Sequence, residues 1–380
     1  MATLTGEPSL RIAYHADTFA KRARFGLSRY AHSLRDALDD QGVTAIPFSS
    51  QSDFAVAPPW LAQRGFCRLP IRRKLLAPAW TYTGLPRAEW MLPPFDLLHS
   101  IDVDYRAPTG KPWVVTIHDL GVLVHPEYFS GAVPWLLRAY LKQIAARADR
   151  VLCVSHSTAA EVTRFTGMQP GERLRVIEEG VDEAFFDPPA ATSLAQADGI
   201  IAPDTPFLLF SGSTNPRKNL HRVLNAYRKL VPGIGLHLVI VGAWGSGDGE
   251  LAADIDAARA TGMVHTPGYV SDEVLQALLF RADAFLYPSL YEGFGLPILE
   301  AMASGTPVIT STNSSMPEIA ADAAILVDAS DEAAIGEAMM RVAQDRPAMA
   351  ALREKGVAHA RRFSWADTAR RTINVYRELV

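Results

Sequence analysis

Asp283-Ala284-Phe285-Leu286-Tyr287-Pro288-Ser289-Leu290-Tyr291-Glu292-Gly293-Phe294-Gly295-Leu296-Pro297-Ile298-Leu299-Glu300-Ala301-Met302-Ala303-Ser304-Gly305 reads as strand, loop and helix in one run. The apolar residues before Pro288 suit a buried strand, and the proline ends it. Gly293 and Gly295 open the backbone, Pro297 suits the first helical position, and Gly305 suits the residue after a helix. Good helix formers fill the interval. This reading puts Glu292 in a tight strand-to-helix loop and Glu300 in the helix's first turn. The two acids bracket a helix N-terminus whose unpaired N–H groups suit a polar or anionic ligand. A glutamate in a first turn is also a plain dipole partner. Glu292 resists that explanation, because the Gly-x-Gly after it points to close backbone approach.

The alternation of strand and helix extends in both directions and predicts α/β layers with parallel sheets. In the first half, strands are predicted at 11–15, 44–47, 97–100, 113–118, 150–155 and 174–178, with helices at 28–40, 132–148 and 157–166. The loose, proline-bearing stretch 188–206 reads as a linker. Beyond it, strands at 207–211, 236–241, 263–266, 284–287, 307–310 and 324–327 alternate with helices at 219–230, 250–260, 271–282 and the helix of Pro297. A helical tail at 365–379 ends the pattern. The expectation is two doubly wound, Rossmann-like domains, 1–187 and 207–364, facing across a cleft that holds the ligand. The helix at 365–380 is expected to pack back on the first domain.

Composition narrows the class. A chain of 380 residues suits two domains, and 48% hydrophobic with 21% charged residues suits a globular protein. No apolar run reaches the length of a membrane span, and the opening residues show no basic region followed by an apolar one, so no secretory signal is expected. The only two cysteines, Cys67 and Cys153, argue against a disulfide framework or a cysteine zinc site and for a cytoplasmic setting. The net charge of -4 disfavours nucleic acid. Residues 60–90 nevertheless carry Arg64, Arg68, Arg72, Arg73, Lys74 and Arg87 interleaved with Trp60, Phe66, Trp80 and Trp90. That mixture suits peripheral contact with an anionic membrane surface or a phosphate-bearing acceptor, or else a solvated basic face with its aromatics inward.

Several constellations carry chemistry. Gly212-Ser213-Thr214-Asn215-Pro216-Arg217-Lys218-Asn219 follows a strand and closes into a helix with two adjacent cations, suiting a diphosphate. His118 stands at the end of a strand in Thr116-Ile117-His118-Asp119. Gly26 precedes the first long helix, where Ser28 also reads as a simple cap. Asp102-Val103-Asp104 has the look of a metal-binding D-x-D, but Arg217 and Lys218 can supply the same charge. The glycines at 242–249 invite a dinucleotide reading. Their spacing is not G-x-G-x-x-G, and the following strand ends without an acid for a ribose.

The run 292–308 resembles the Glu-x7-Glu signature of retaining glycosyltransferases of family 4, members of the GT-B class. The loop 212–219 resembles that family's donor-phosphate loop, with Ser213 where many members have an arginine. Gly268-Tyr269-Val270 resembles a turn that meets the nucleotide base. Only Gly26 matches what is usually a more glycine-rich loop. Ile177-Glu178-Glu179-Gly180-Val181-Asp182 resembles the family's I-P-N-G-V-D, with Glu178 and Glu179 replacing Pro-Asn, a change expected to alter only the local turn. The similarity covers nearly the whole chain and is densest over 207–328.

The resemblance implies transfer of a sugar from a nucleotide-diphosphate donor, with retention, and with no metal or cofactor. It implies that Glu300 binds ribose hydroxyls, that Glu292 and His118 meet the donor sugar, and that Arg217 and Lys218 stabilise the departing diphosphate. Gly26, Gly212, Tyr269, Val270, Gly293, Phe294, Gly295 and Leu296 would line the donor, and His125 and Glu127 the acceptor side. Pro216-Arg217-Lys218-Asn219, His118-Asp119-Leu120 and His125-Pro126-Glu127 resemble the variants found in bacterial mannosyltransferases of surface-polysaccharide synthesis, so mannose from GDP-mannose is the expected sugar and a lipid-linked or oligosaccharide glycan the expected acceptor. A UDP-sugar is the alternative donor, and a non-catalytic nucleotide-sugar-binding subunit is the alternative of another class. A two-carboxylate hydrolase is disfavoured, because nothing pairs Glu292 with Glu300 as acid and nucleophile. An epimerase lacks the extra acid/base residues it needs.

Overall fold

The structure, a computed structural model, describes residues 9–15, 26–50, 66–103, 106–129, 131, 133–230, 233, 235–242 and 249–380. The chain divides into two units, Met1–Gly180 with Trp365–Val380, and Val181–Ser364.

In the first unit, β1 (Arg11–His15), β2 (Thr44–Ser49), β3 (Cys67–Arg68), β4 (Leu97–Ser100), β5 (Trp113–Ile117), β6 (Arg150–Cys153) and β7 (Leu174–Val176) form one sheet. Its order is β3-β2-β1-β4-β5-β6-β7, with every neighbour parallel. In the second unit, β8 (Phe207–Ser211), β9 (His237–Val241), β10 (Val264–Gly268), β11 (Ala284–Tyr287), β12 (Val308–Ser311) and β13 (Ile325–Val327) form another. There the order is β10-β9-β8-β11-β12-β13, again parallel. Strands covered by helices on both faces bury both rows of side chains, which explains continuous apolar runs such as 207–210 and 284–287. Phe207, Phe210, Phe285 and Tyr287 are each at most 2% exposed, and each such side chain contributes about 1.5–3 kcal/mol of burial free energy.

The helix Trp365–Arg377 packs on the helix Leu27–Asp40 of the first unit. Its anchor is polar. Tyr376 and His99, both fully buried, meet at 2.6 Å between the hydroxyl and Nδ1, and His99 Nε2 meets Thr116 Oγ1 at 2.8 Å. Burial, helped by His118, pulls the His99 pKa down to about 3, so this histidine stays neutral.

Three expectations need correction. The stretch 188–206 is not a bare linker: it contains the helix Ala191–Asp198, which packs on the helix Asp272–Arg281 inside the second unit. Arg281 fixes it by donating to Asp198 at 2.7 Å and to the Ala202 carbonyl at 2.8 Å. The helices Glu332–Gln344 and Arg346–Ala360 lie where no element was predicted; Asp331 and Asp345 cap them through backbone N–H groups. Ser28 does not cap its helix. Gly26 occupies the N-cap position, and Ser28 is buried inside the first turn.

Candidate active site

β8 and β11 are neighbours, but β8 runs on towards β9 on one side and β11 towards β12 on the other. Such a switch point leaves a crevice beyond the carboxyl ends of the strands. Both loops singled out in the sequence emerge there. After β8, Asn215 accepts the Arg217 N–H at 3.0 Å and shapes the short turn Pro216–Lys218. After β11, residues 288–295 lead into the helix Leu296–Ala303. The Leu290 N–H donates to the Arg217 carbonyl at 2.7 Å and ties the two loops together.

That tie brings the charged groups into contact. Lys218 Nζ donates to Glu292 Oε1 at 2.6 Å and to the Tyr287 hydroxyl at 2.7 Å. Arg217 donates to Glu292 Oε2 and, at 3.2 Å, to the Tyr291 carbonyl. Burial alone would raise the Glu292 pKa, but Lys218 and Arg217 outweigh it and hold the carboxyl at about 2. Burial and the Glu292 charge push the Tyr287 phenol well above its ordinary value. Two cations, a carboxylate and a neutral phenol therefore form a charge-assisted cluster with fixed geometry.

The Glu292 loop is held from behind by side chains. Thr310 donates to the Tyr287 carbonyl at 2.9 Å, Asn219 to Pro288 at 3.0 Å, Ser311 to Ser289 at 2.7 Å and Asn313 to Leu290 at 3.3 Å. Ser314 donates to the Glu292 carbonyl, and Ser315 to Glu292 at 3.0 Å and Phe294 at 2.7 Å. Every carbonyl from Tyr287 to Glu292 is thus engaged by a side chain, which restrains the loop without secondary structure. Asn219 also donates to the Ala329 carbonyl at 2.7 Å and takes a left-handed φ of 64°, a conformation asparagine tolerates better than most residues. Gly242, directly after β9, lies so close to the loop that follows β8 that a Cβ there would stand 1.7 Å from the Gly212 carbonyl oxygen.

Gly295, with a φ of 114°, is the N-cap of the helix Leu296–Ala303, so Leu296 and not Pro297 is its first residue. Glu300 consequently lies in the second turn, buried, and is not a first-turn dipole partner. Gly293, Phe294 and Leu296 are buried too. Phe294 meets Phe363 edge-on at 6.3 Å. Gly212 follows β8 directly and its N–H donates to the Val241 carbonyl at 2.9 Å. Tyr269 and Val270 follow the edge strand β10; Tyr269 is exposed and Val270 half-buried. Tyr287, Asn219 and the 311–315 segment were not singled out as site residues in the sequence. The run Ser311-Thr312-Asn313-Ser314-Ser315 directly after a strand was the available signal for the last. A concavity of about 650 Å³ lies elsewhere in this unit, by Asp256, Arg259 and His265 near β10, away from the charged cluster.

In the first unit His118 follows β5. Its Nδ1 stands 3.0 Å from Glu179 Oε1 and its Nε2 3.0 Å from the Ile101 carbonyl, with Tyr30 edge-on at 4.4 Å. Burial pulls the His118 pKa down, but the Glu179 hydrogen bond and charge, with Asp102 and Asp119, leave it raised. Glu178 and Glu179 therefore do more than alter a turn: Glu178 accepts from Arg371 at 2.9 Å, and the buried Glu179 engages His118. His125 and Glu127 pair with each other at 3.0 Å. Gly26 has a φ of 43° and its carbonyl accepts the Tyr30 N–H at 3.0 Å. Among the described residues no group of three or more His, Cys, Asp or Glu is placed to hold a metal ion; Asp104 lies outside the described residues.

Comparison with known proteins agrees with this architecture. A family described as Glycosyltransferase Family 4 matches residues 26–185, and one described as Glycosyl transferases group 1 matches residues 192–359. The chain is 30% identical to an O-antigen chain mannosyltransferase B of Escherichia coli, over 81% of each chain. Its fold is similar to sucrose-phosphate synthase from Thermosynechococcus elongatus, with a TM-score of 0.78, 22% identity and coverage of 97% and 99% of the two chains. It is also similar to Anabaena HepE in complex with UDP-glucose, with a TM-score of 0.75, 17% identity and coverage of 97% and 100%. The chain belongs to glycosyltransferase family 4, has the GT-B-type fold of two Rossmann-like domains, and is related to bacterial O-antigen mannosyltransferases.

Proposed function

We propose that this glycosyltransferase moves mannose from GDP-mannose to a glycan or lipid-linked acceptor, with retention at the anomeric carbon. The observation that carries the reading is the Arg217–Lys218–Glu292–Tyr287 cluster at the β8/β11 switch point. Lys218 and Arg217 stabilise the diphosphate as it departs, a contribution made by charge already in place before the reaction. Glu292 orients both cations and meets the donor sugar, and Glu300 takes the ribose hydroxyls. Gly212, Gly293, Phe294, Gly295 and Leu296 let backbone approach the donor, and Tyr269 and Val270 meet its base. Gly26 and His118 contribute from the first unit. The name of the Escherichia coli relative supports mannose. A thermal-shift screen against UDP-, GDP-, ADP- and dTDP-sugars tests the donor, since ligand binding raises stability by mass action. A shift with GDP-mannose alone supports the reading, and a shift with UDP-sugars alone replaces it. The anomeric configuration of the product, read by NMR, tests retention.

The acceptor reading rests on the stretch 60–90, of which residues 60–65, with Trp60 and Arg64, lie outside the described residues. Trp80 is buried and donates to the Pro86 carbonyl at 2.8 Å, while Leu75, Tyr82, Leu85 and Trp90 are 46–83% exposed beside the exposed Arg68, Arg72 and Arg87. Exposed apolar side chains among cations suit the headgroup layer of an anionic membrane. No described helix is long and apolar enough to cross a membrane. Flotation with liposomes containing anionic lipid, comparing the native chain with a Leu75→Ser, Tyr82→Ser, Trp90→Ser variant, checks this; equal binding by the two refutes it.

A further inference from the structure

The residues around His118 dictate its charge state. Nε2 faces the carbonyl oxygen of Ile101 and Nδ1 faces a carboxylate oxygen of Glu179, both at 3.0 Å. The carbonyl can only accept, and so can the Glu179 carboxyl in its ionised form; against those two acceptors each nitrogen carries a hydrogen, and only the imidazolium has two. The other groups facing the ring fit that state. Asp102 and Asp119 add negative charge, Tyr30 presents an uncharged ring edge-on, and His99 is neutral. The Glu179 side chain is 5% exposed and that of His118 15%, so water screens this pair little. The His118 backbone is held as well, because Thr158 Oγ1 donates to its carbonyl at 3.0 Å.

We propose that Glu179 is a positioning residue that holds His118 as a doubly protonated imidazolium, so that His118 enters sugar transfer as a fixed cation and not as a base. The inference rests on the reading that His118 serves the transfer reaction, but the pair itself can be tested without turnover. A neutral imidazole could take a proton from an acceptor hydroxyl. An imidazolium with both N–H groups engaged cannot, so proton removal falls to another group, such as an oxygen of the leaving diphosphate. The pair also gives the enzyme an alkaline limb, since raising the pH removes one of the two hydrogens and sets a lone pair against an acceptor.

The test is a pH titration of the full chain with 15N-labelled histidine, the His118 signal being assigned by its loss in His118→Gln. Expected is a signal with both nitrogens protonated at pH 7 and a midpoint above the ordinary histidine value of about 6.5. Glu179→Gln keeps an acceptor but removes the charge, and should move the midpoint down by about one pH unit or more. Glu179→Asp should retain most of the elevation. With GDP-mannose and acceptor, the alkaline limb of kcat/KM, which reports the free enzyme, should move by the same amount and in the same direction. A neutral His118 at pH 7 in the native chain, or a midpoint unmoved by Glu179→Gln, overturns the proposal. Should Glu179→Gln fail to fold, the native titration and Glu179→Asp decide it. A titration as expected in a chain that binds no nucleotide-sugar would leave the pair standing and remove the proposed donor reading.

Discussion

Lys218 and Glu292, 74 positions apart in the chain, meet at 2.6 Å where β8 and β11 end side by side. The carboxylate that the sequence offers as a sugar contact is already engaged by the two cations expected to hold the diphosphate. An incoming phosphate would therefore meet Arg217 and Lys218 already pointed and paired, and would share them with Glu292. Cations fixed in this way need little reorganisation when charge develops on the leaving group.

Lys218→Ala should lower kcat/KM by about 100-fold or more, the scale of losing one preorganised charge donor. Stability should fall by less than the roughly 3–5 kcal/mol of an uncompensated buried ion, because Arg217 still faces Glu292. Nucleoside-diphosphate release and a thermal melt measure the two effects. Undiminished turnover would remove Lys218 from the site.

Glu292 sets an acid limit. Its pKa is depressed to about 2 in the folded chain from roughly 4.3 when unfolded, so its stabilising contribution is complete above the unfolded value. That contribution is lost as pH falls from there through about 2. Melting temperature should consequently drop more steeply below pH 4 in the native chain than in Glu292→Gln. Parallel pH profiles would assign the loss to other carboxylates.

Ser315→Ala takes away the donor to the Phe294 carbonyl while Ser314 still serves Glu292. Ser315 is fully buried, so the orphaned carbonyl should cost about 1–3 kcal/mol. A loosened loop should also raise KM for the donor more than it lowers kcat. Steady-state kinetics separates the two.

Gly242→Ala would force a Cβ to within 1.7 Å of the Gly212 carbonyl oxygen at a φ of 152°. Backbone must move, at a cost of about 3 kcal/mol for overpacking plus strain, and the loop carrying Arg217 and Lys218 moves with it. Calorimetry should show a lower melting temperature together with weakened nucleotide binding. A native-like variant would mean that the two backbones can separate without cost.

Tyr376→Phe leaves His99 Nδ1 without its buried partner, at a cost of about 1–3 kcal/mol. Hydrogen exchange should accelerate over 365–377 ahead of the β4 and β5 amides. Uniform acceleration would show that the His99–Tyr376 contact does not anchor that helix separately.

Much of the candidate site was legible locally. Glu292, Gly295, Arg217 and Lys218 stand in short motifs whose chemistry follows from a strand, a tight loop and a helix start. Other parts were hidden for physical reasons. Tyr287 reads as one more apolar strand residue, and only its position opposite Lys218 gives its hydroxyl a role. Glu179 reads as a turn residue because its partner, His118, is 61 positions away. The stretch 188–206 reads as a linker because prolines surround its helix, whereas contacts with the helix Asp272–Arg281 and a clamp from Arg281 hold it in the second unit.

The sequence by itself determined the two parallel α/β units, the strand ends that carry the loops, and the family. Strand burial, helix starts and glycine turns are local properties of neighbouring residues. Only the tertiary structure decided which charges meet, which carbonyls the 310–315 segment engages, and that His118 lies between two acceptors. Those contacts join residues tens of positions apart, and strand order, which local preferences do not encode, is what places them together.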